Sequence, residues 1–247
     1  LVTVSCTGFD APGVDIDLIE RVGLAPDVER VQIGFMGCHG AVNGLRVADA
    51  IVRAHAEAQV LLVAVELCSV HFNYGHRADR MIANALFADG AAAAVLNADS
   101  GDDELSIASS LSRIVPETRD AMQWRIGDHG FEMTLSPALP GLIARALPDA
   151  AVPWLKAEGL TPGAVHWAAH PGGPKILDAV ERSLGLSPDA LATSRDVLAQ
   201  RGNMSSPTVL FVLEALRGQG RRDCPVVLLG FGPGLAVEGV LLRPGPQ

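Results

Sequence analysis

Apolar and polar positions follow two alternating rhythms along this chain. Residues 1–7, "LVTVSCT", are a β-branched run that predicts a buried strand, and "VDIDLIERVGL" (14–24) predicts an acidic helix ending at Gly23. In "VERVQIGFMGCHGAVNGLRVADAIVRA" (28–54) an apolar strand runs into a turn bounded by Gly37 and Gly40, then into an amphipathic helix. Read from Asn43, that helix carries Leu45, Val47, Ala48, Ile51 and Val52 on its apolar side. "QVLLVAVELCSVHF" (59–72) is almost continuously apolar, as in a strand covered on both faces. "ANALFADGAAAAVLNAD" (83–99) predicts an Ala/Gly-rich turn and another strand.

The acidic "NADSGDDEL" (97–105) has no periodicity and marks a boundary. Beyond it, "LSIASSLSRIVP" predicts a strand, "FEMTLSPALPGLIARAL" a strand turning into a helix, and "VHWAAHPGG" a strand ending in a turn. "PKILDAVERSLG" and "SPTVLFVLEALRGQG" predict helices, and "CPVVLLGFGPGLAVEGVLLRP" a closing hairpin. Strands alternating with helices predict a layered α/β fold. Two units are expected, 1–100 and 101–247, the second repeating the strand–turn–helix rhythm of the first. The chain opens on Leu1 inside a strand, so the first unit is expected to lack its N-terminal part.

Composition narrows the function classes. At 247 residues and 49% hydrophobic, the chain can bury a large core. A formal charge of −9 argues against nucleic acid and anionic membranes as partners, because both select a basic face. Cys6, Cys38, Cys68 and Cys224 form no CxxC pair or disulfide framework, and no apolar run reaches the ~18 residues of a membrane span. A reducing cytoplasmic location is therefore expected. The remaining histidines (39, 55, 71, 76, 129 and 166) show no metal-ligand spacing and read as surface or packing residues, and no metal is expected.

Three positions carry candidate chemistry. Cys38 stands at a strand-to-helix turn, where the positive end of the helix dipole favours a thiolate and the glycines leave room for a substrate. A plain buried cysteine is the competing reading. His170 ends an apolar strand where a Pro-Gly-Gly turn begins, and Asn203 precedes a helix with Ser205 and Ser206 as caps. Together Cys, His and Asn make an acyl-transfer set, in which the latter two supply donors to an oxyanion. Singly, His170 reads as a structural hydrogen-bonder and Asn203 as an N-cap.

Six motifs in order, "TGFDAPGVD", "MGCHGAVNGLRVA", "NALFADGAAA", "HPGGPKILDAVE", "GNMSSPTVLFVLE" and "LLGFGPGLAVEGVLLR", make the chain resemble the type III polyketide synthases, relatives of chalcone and stilbene synthases. The resemblance implies a thiolase-like α/β/α/β/α fold built from two related halves. It implies Cys38 as the acyl-accepting nucleophile, His170 as the partner holding its thiolate by charge, and Asn203 as the second donor. The implied reaction loads a starter acyl-CoA on Cys38, extends it by decarboxylative condensation with malonyl-CoA, and cyclises the product. No bound cofactor is implied beyond the CoA thioesters used as substrates.

By the same matches, Phe87 and Met133 fall at gatekeeper positions, while Cys6 and His71 fall where plant members carry pocket threonines. Ser205 belongs to the cavity set, Trp124 lies near a position controlling cavity depth, and Lys175 is expected near the CoA tunnel or as a solvated helix-start lysine. A homodimer is implied, with Ala11 reaching the neighbour's cavity. Likeness to bacterial members points to alkylpyrone or alkylresorcinol products and a long-chain starter. A truncated, non-catalytic remnant binding a partner or an acyl chain, and a ketoacyl synthase III-like condensing enzyme, stand as the alternatives.

Overall fold

The computed structural model describes residues 1–72, 74, 78–99, 105–128, 130–221 and 224–245; side chains are described throughout except at 78–80. In chain order the elements are β1 (Val2–Ser5), α1 (Val14–Val22), β2 (Val31–Gly34), α2 (Gly40–Ala54), β3 (Val60–Glu66), α3 (Ala78–Leu86) and β4 (Gly90–Leu96). They continue with β5 (Leu105–Ile114), β6 (Met122–Gly127), β7 (Gly130–Leu135), α4 (Leu139–Ala157), β8 (His166–Ala169), α5 (Pro174–Leu184), α6 (Ala192–Arg201), α7 (Thr208–Gly218), β9 (Val226–Gly232) and β10 (Ala236–Pro244).

Two four-stranded sheets form, ordered β2-β1-β3-β4 and β5-β10-β9-β8, together with the hairpin β6-β7. β1 lies parallel to β2 and β3, and β4 closes that sheet antiparallel to β3. The second sheet pairs β8 parallel to β9, with β10 antiparallel to both β9 and β5. Each sheet thus holds a parallel pair followed by an antiparallel strand, and in each a long helix, α2 or α7, precedes the middle strand. The repeated rhythm of the sequence is this repeated unit.

The two helices lie between the sheets. Val42, Leu45, Ala48 and Val52 of α2 share one buried cluster with Val209, Val212 and Leu216 of α7. Val4 and Leu62 close that cluster from one sheet, Ala168, Leu228 and Val240 from the other. Alternate residues of the second sheet, Trp167, Val227 and Leu229, face a separate cluster with Ile143 and Leu147 of α4 and Leu177 and Val180 of α5. Burial on both faces explains why β9 is apolar at every second and every intervening position. β3 differs from that expectation, since its alternate residues are only half-buried and one face alone is fully covered.

Local departures from the sequence reading have simple causes. α2 begins at Gly40, three residues early, because a 3₁₀ turn over Gly37–His39 leads directly into it. α3 forms where a turn was expected, and α6 was not anticipated, its residues being polar with little periodicity. α7 starts at Thr208 with no side-chain cap. Asn203 and Ser206 are therefore not caps, and they bond elsewhere as described below.

Close packing of α2 requires glycine at one position. A Cβ on Gly44 would lie 2.7 Å from Leu62 Cδ1 and 3.0 Å from Val4 Cγ2. Gly44→Val should therefore push the helix off the first sheet and destabilise the protein by about 1–3 kcal/mol, read as a lower urea midpoint. An unchanged midpoint would refute this account of the packing.

Candidate active site

Glu66, at the end of β3, is fully buried, and its carboxylate gathers three segments. Oε2 accepts the Cys6 N–H (2.9 Å) and the Thr7 hydroxyl (2.8 Å), and Oε1 accepts the Ser206 hydroxyl (2.6 Å). The segments after β1, at the end of β3 and before α7 thus meet at one point, which the 3₁₀ turn joins through the Gly37 N–H donating to Cys6 Sγ (3.0 Å). Gly37 has φ +72°, and a Cβ there would lie 2.4 Å from Pro233 Cδ, so only glycine admits the approach of the β9–β10 turn.

Cys38 sits in the middle of that turn, buried, and faces a cavity of about 290 Å³. Burial pushes its thiol up to about 11; hydrogen bonds from Ser205 and Asn203 pull the other way, and the Glu66 charge adds to the rise. The helix dipole is worth about 0.3–1 kcal/mol, less than one pK unit, so desolvation wins. Burial likewise raises Cys6 to about 12 and raises Cys68.

His170 follows β8, its N–H bonded to the Leu229 carbonyl (2.7 Å), and its ring is fully buried. Neither ring nitrogen has a hydrogen-bond partner, Cys38 included. Burial drives the imidazole down to about 3, assisted by the neighbouring His39. Burial thus opposes both charges of the thiolate–imidazolium pair expected from the sequence.

Asn203 is placed by its backbone. Its N–H donates to the Leu86 carbonyl and its own carbonyl accepts from Ala88 N–H, both at 2.9 Å, forming a parallel bridge to Phe87. Its Oδ1 accepts the Ser205 N–H (2.8 Å), leaving the amide N–H₂ as donor. Ser205 adopts φ +57°, a left-handed conformation that costs a non-glycine residue and is found disproportionately at functional sites.

Residues 1–100 match the N-terminal domain of chalcone and stilbene synthases, and residues 106–246 match the C-terminal domain. The chain belongs to the chalcone and stilbene synthase family. Within the family's curated members it is 38% identical, over an alignment of 250 positions, to an "alpha-pyrone synthesis polyketide synthase-like" protein from Mycobacterium tuberculosis and to its counterpart from Mycobacterium bovis. The alignment covers 98% of this chain and 64% of those relatives, so the chain spans just under two thirds of their length. Among solved structures it superposes on PKS-I of the brown alga Ectocarpus siliculosus with a TM-score of 0.95 at 37% identity, covering 98% of this chain and 68% of that one. It also superposes on the C-terminal type III polyketide synthase domain of the Dictyostelium hybrid Steely1, with a TM-score of 0.90 at 32% identity, covering 99% and 70%. The fold is the thiolase-like layered α/β fold of this family.

Of the residues singled out from the sequence, Cys6, Cys38, His71, Phe87, Met133 and Ser205 all line the one cavity, joined by Trp124. His170 and Asn203 are buried and are not among the residues lining it; Asn203 reaches the Cys38 thiol with a side-chain hydrogen bond, and His170 lies by His39. Lys175 is exposed on the first turn of α5 and is not among the residues lining the cavity. Three neighbours escaped the sequence reading. Glu66 is a lone acid ending an otherwise apolar strand, a signal that was available. His39, read as surface or packing, is buried with Nδ1 2.5 Å from Asn43 Oδ1, its Cα and Cβ against Gly230 and its ring against Gly232. Phe131, on β7, belongs to a hairpin whose pattern is weak. Among the described residues no cluster of His, Cys, Asp and Glu could hold a metal ion, and no helix is long and apolar enough to cross a membrane.

The buried thiol has a readable titration. Alkylation of Cys38 by iodoacetamide, followed by peptide mass mapping, should accelerate about tenfold per pH unit from neutrality to beyond pH ~9, because only the thiolate reacts. A plateau by pH ~7 would show a preformed ion pair instead.

His170 makes a second, independent signature. The native imidazole takes its proton near 3, far below the unfolded value of 6.5, so between those values the unfolded chain binds more protons and stability falls as the pH falls. The stability difference between wild type and His170→Gln should therefore change across that window. A difference that is flat with pH would mean that the imidazole is solvated.

Proposed function

We propose that the protein is a type III polyketide synthase using CoA thioesters, with Cys38, His170 and Asn203 as its catalytic groups. The observation that carries this reading is a buried cysteine at the head of α2, hydrogen-bonded by Ser205 and Asn203 and facing a cavity, in a chain of this family.

The chemistry follows from the groups present. Cys38 Sγ attacks the carbonyl carbon of a starter acyl-CoA as His170 takes the thiol proton. The tetrahedral oxyanion collapses, the acyl group stays on sulfur, and CoA leaves with the proton returned by His170. Burial opposes the charges that this transfer separates. Malonyl-CoA then loses carbon dioxide, and the electron pair moves onto the thioester oxygen as an enolate. The Asn203 amide and an imidazole N–H donate to that oxygen. The enolate carbon attacks the Cys38 thioester, a carbon–carbon bond forms, and the thiolate is regenerated for another round. Cyclisation releases the product.

The relatives named for alpha-pyrone synthesis favour pyrone closure over other ring types. No bound cofactor is required, since decarboxylation supplies the driving force. We assign the protein to the cytoplasm, where CoA thioesters are made, and to a homodimer in which the exposed Ala11 faces the partner.

The test is covalent loading and decarboxylation by the full-length protein. Cys38→Ala should lose the acyl adduct seen by intact mass. Asn203→Ala should retain loading but lose about 10²–10³ in malonyl-CoA decarboxylation, as expected for one oxyanion donor. His170→Ala should impair both. An adduct that persists in Cys38→Ala refutes the assignment of the nucleophile. No adduct from any acyl-CoA would favour the non-catalytic alternative.

A further inference from the structure

The turn that carries Cys38 leans on the second sheet through the residue that follows the nucleophile. On the sheet face turned toward α2, Gly230 of β9 pairs in register with Glu238 of β10, and Glu238 pairs in turn with Ser112 of β5. On the other side β8 runs in register with β9 up to Ala169 and Leu229, so the next residue, His170, falls beside Gly230. One row across the sheet thus reads Ser112, Glu238, Gly230, His170. His39 fills the space that the glycine leaves. A Cβ on Gly230 would lie 2.9 Å from His39 Cβ, and one on Gly232 would lie 2.6 Å from His39 Nε2, so neither position admits a side chain. Buried His39 therefore stands over Gly230, with the Glu238 carboxylate on one side and His170 on the other, at a strand spacing of about 4.8 Å. Both rings lean the same way along the sheet, that of His39 against Gly232 and that of His170 against Gly172.

The two imidazoles differ in what supports a charge on them. His39 Nδ1 meets Asn43 Oδ1, an oxygen that only accepts, so Nδ1 donates and Nε2 is the atom that gains a proton. Asn43 and the Glu238 charge favour that cation, while burial and Arg46, itself bonded to Glu238 (2.7 Å), oppose it. Cys38 adjoins His39 on the turn, and His170 faces it from the end of β8. His170 has no such support, since neither of its ring nitrogens has a hydrogen-bond partner. A proton entering the pair therefore goes to His39, and the charge there opposes a second one at His170.

We propose that His39 is a positioning residue for His170: it holds the proton that the pair gains in acid, and starter loading on Cys38 runs only while His39 is neutral. This rests on the polyketide synthase reading, in which His170 takes the thiol proton and becomes a cation. A cation already on His39 blocks that transfer. The donor role of His170 toward an enolate oxygen is not opposed by the same charge, so loading and decarboxylation separate with pH.

Two measurements test it, one of which needs no turnover. In the first, the rings of histidine-labelled protein are titrated by NMR, with His39→Gln and His170→Gln assigning the signals. In wild type the His170 signals should move as His39 takes its proton, below the ordinary 6.5 because burial outweighs its partners, and that step should vanish in His39→Gln. In the second, acyl adduct formation by the full-length protein is followed against pH by intact mass. The acid limb of loading should move lower by about one unit or more in His39→Gln. It should also move lower in Asn43→Leu, which keeps the ring and removes its acceptor, while malonyl-CoA decarboxylation shows no such shift. Loading that drops by one factor at every pH in His39→Gln would make the residue structural and overturn the proposal. So would His170 signals that stay still through the His39 titration, or an acid limb that stays in place in both variants. If no acyl-CoA loads on wild type, the polyketide synthase reading fails, and the NMR titration still decides whether the two imidazoles are coupled.

Discussion

The buried Glu66 carboxylate is the constraint on which the site depends. A carboxylate this deep survives only with its oxygens satisfied, and here three donors from two distant parts of the chain supply them. Those donors belong to the loop after β1 and to the segment before α7, one from each repeated unit. Burial raises the pKa of Glu66 and these hydrogen bonds act against that rise, so removing any of them would leave a buried oxygen unmet. The carboxylate therefore fixes the two units in a single relative position, and the cavity between them inherits its shape. Arg46 and Glu238 (2.7 Å), with the Ser112 hydroxyl on the same carboxylate, make a second tie from α2 to the sheet across from it.

The same burial that makes the tie strong also governs the chemistry. Glu66 cannot be exchanged with solvent, so its charge bears on Cys6, Cys38 and Cys68 together and opposes a thiolate at each. His170, without a partner for either nitrogen, resists becoming a cation. Burial thus works against charge on both the sulfur and the imidazole.

Much of this was legible in the sequence because it is local. The turn around Cys38 is written in Gly37 and Gly40, and the two sheet strands of the final hairpin in an unbroken apolar run. What could not be read depends on contacts far apart in the chain. Asn203 looks like a helix cap until its backbone is seen pairing with Leu86 and Ala88. His39 reads as a surface or packing residue, and only the fold shows the second to hold, with Gly232 clearing a space for its ring. The elements missed outright are α3, where the Ala/Gly-rich stretch reads as a turn, and α6, whose polar residues carry little periodicity. Burial opposes the thiolate that the helix dipole favours, and it too is set by the assembled core, whereas the dipole is fixed by the local turn.

The parallel bridge between Phe87 and Asn203 couples two parts that a reader of the cavity would treat separately. Phe87 stands in the wall, and Asn203 aims a donor at the sulfur. Because each is pinned to the other through main-chain atoms, a movement of the Phe87 backbone drags the Asn203 amide with it. Side-chain rotation at Phe87 leaves that alignment unchanged, whereas a shift of the loop itself would misplace the donor. The wall and the donor therefore run on different degrees of freedom, torsions for the one and a rigid backbone frame for the other.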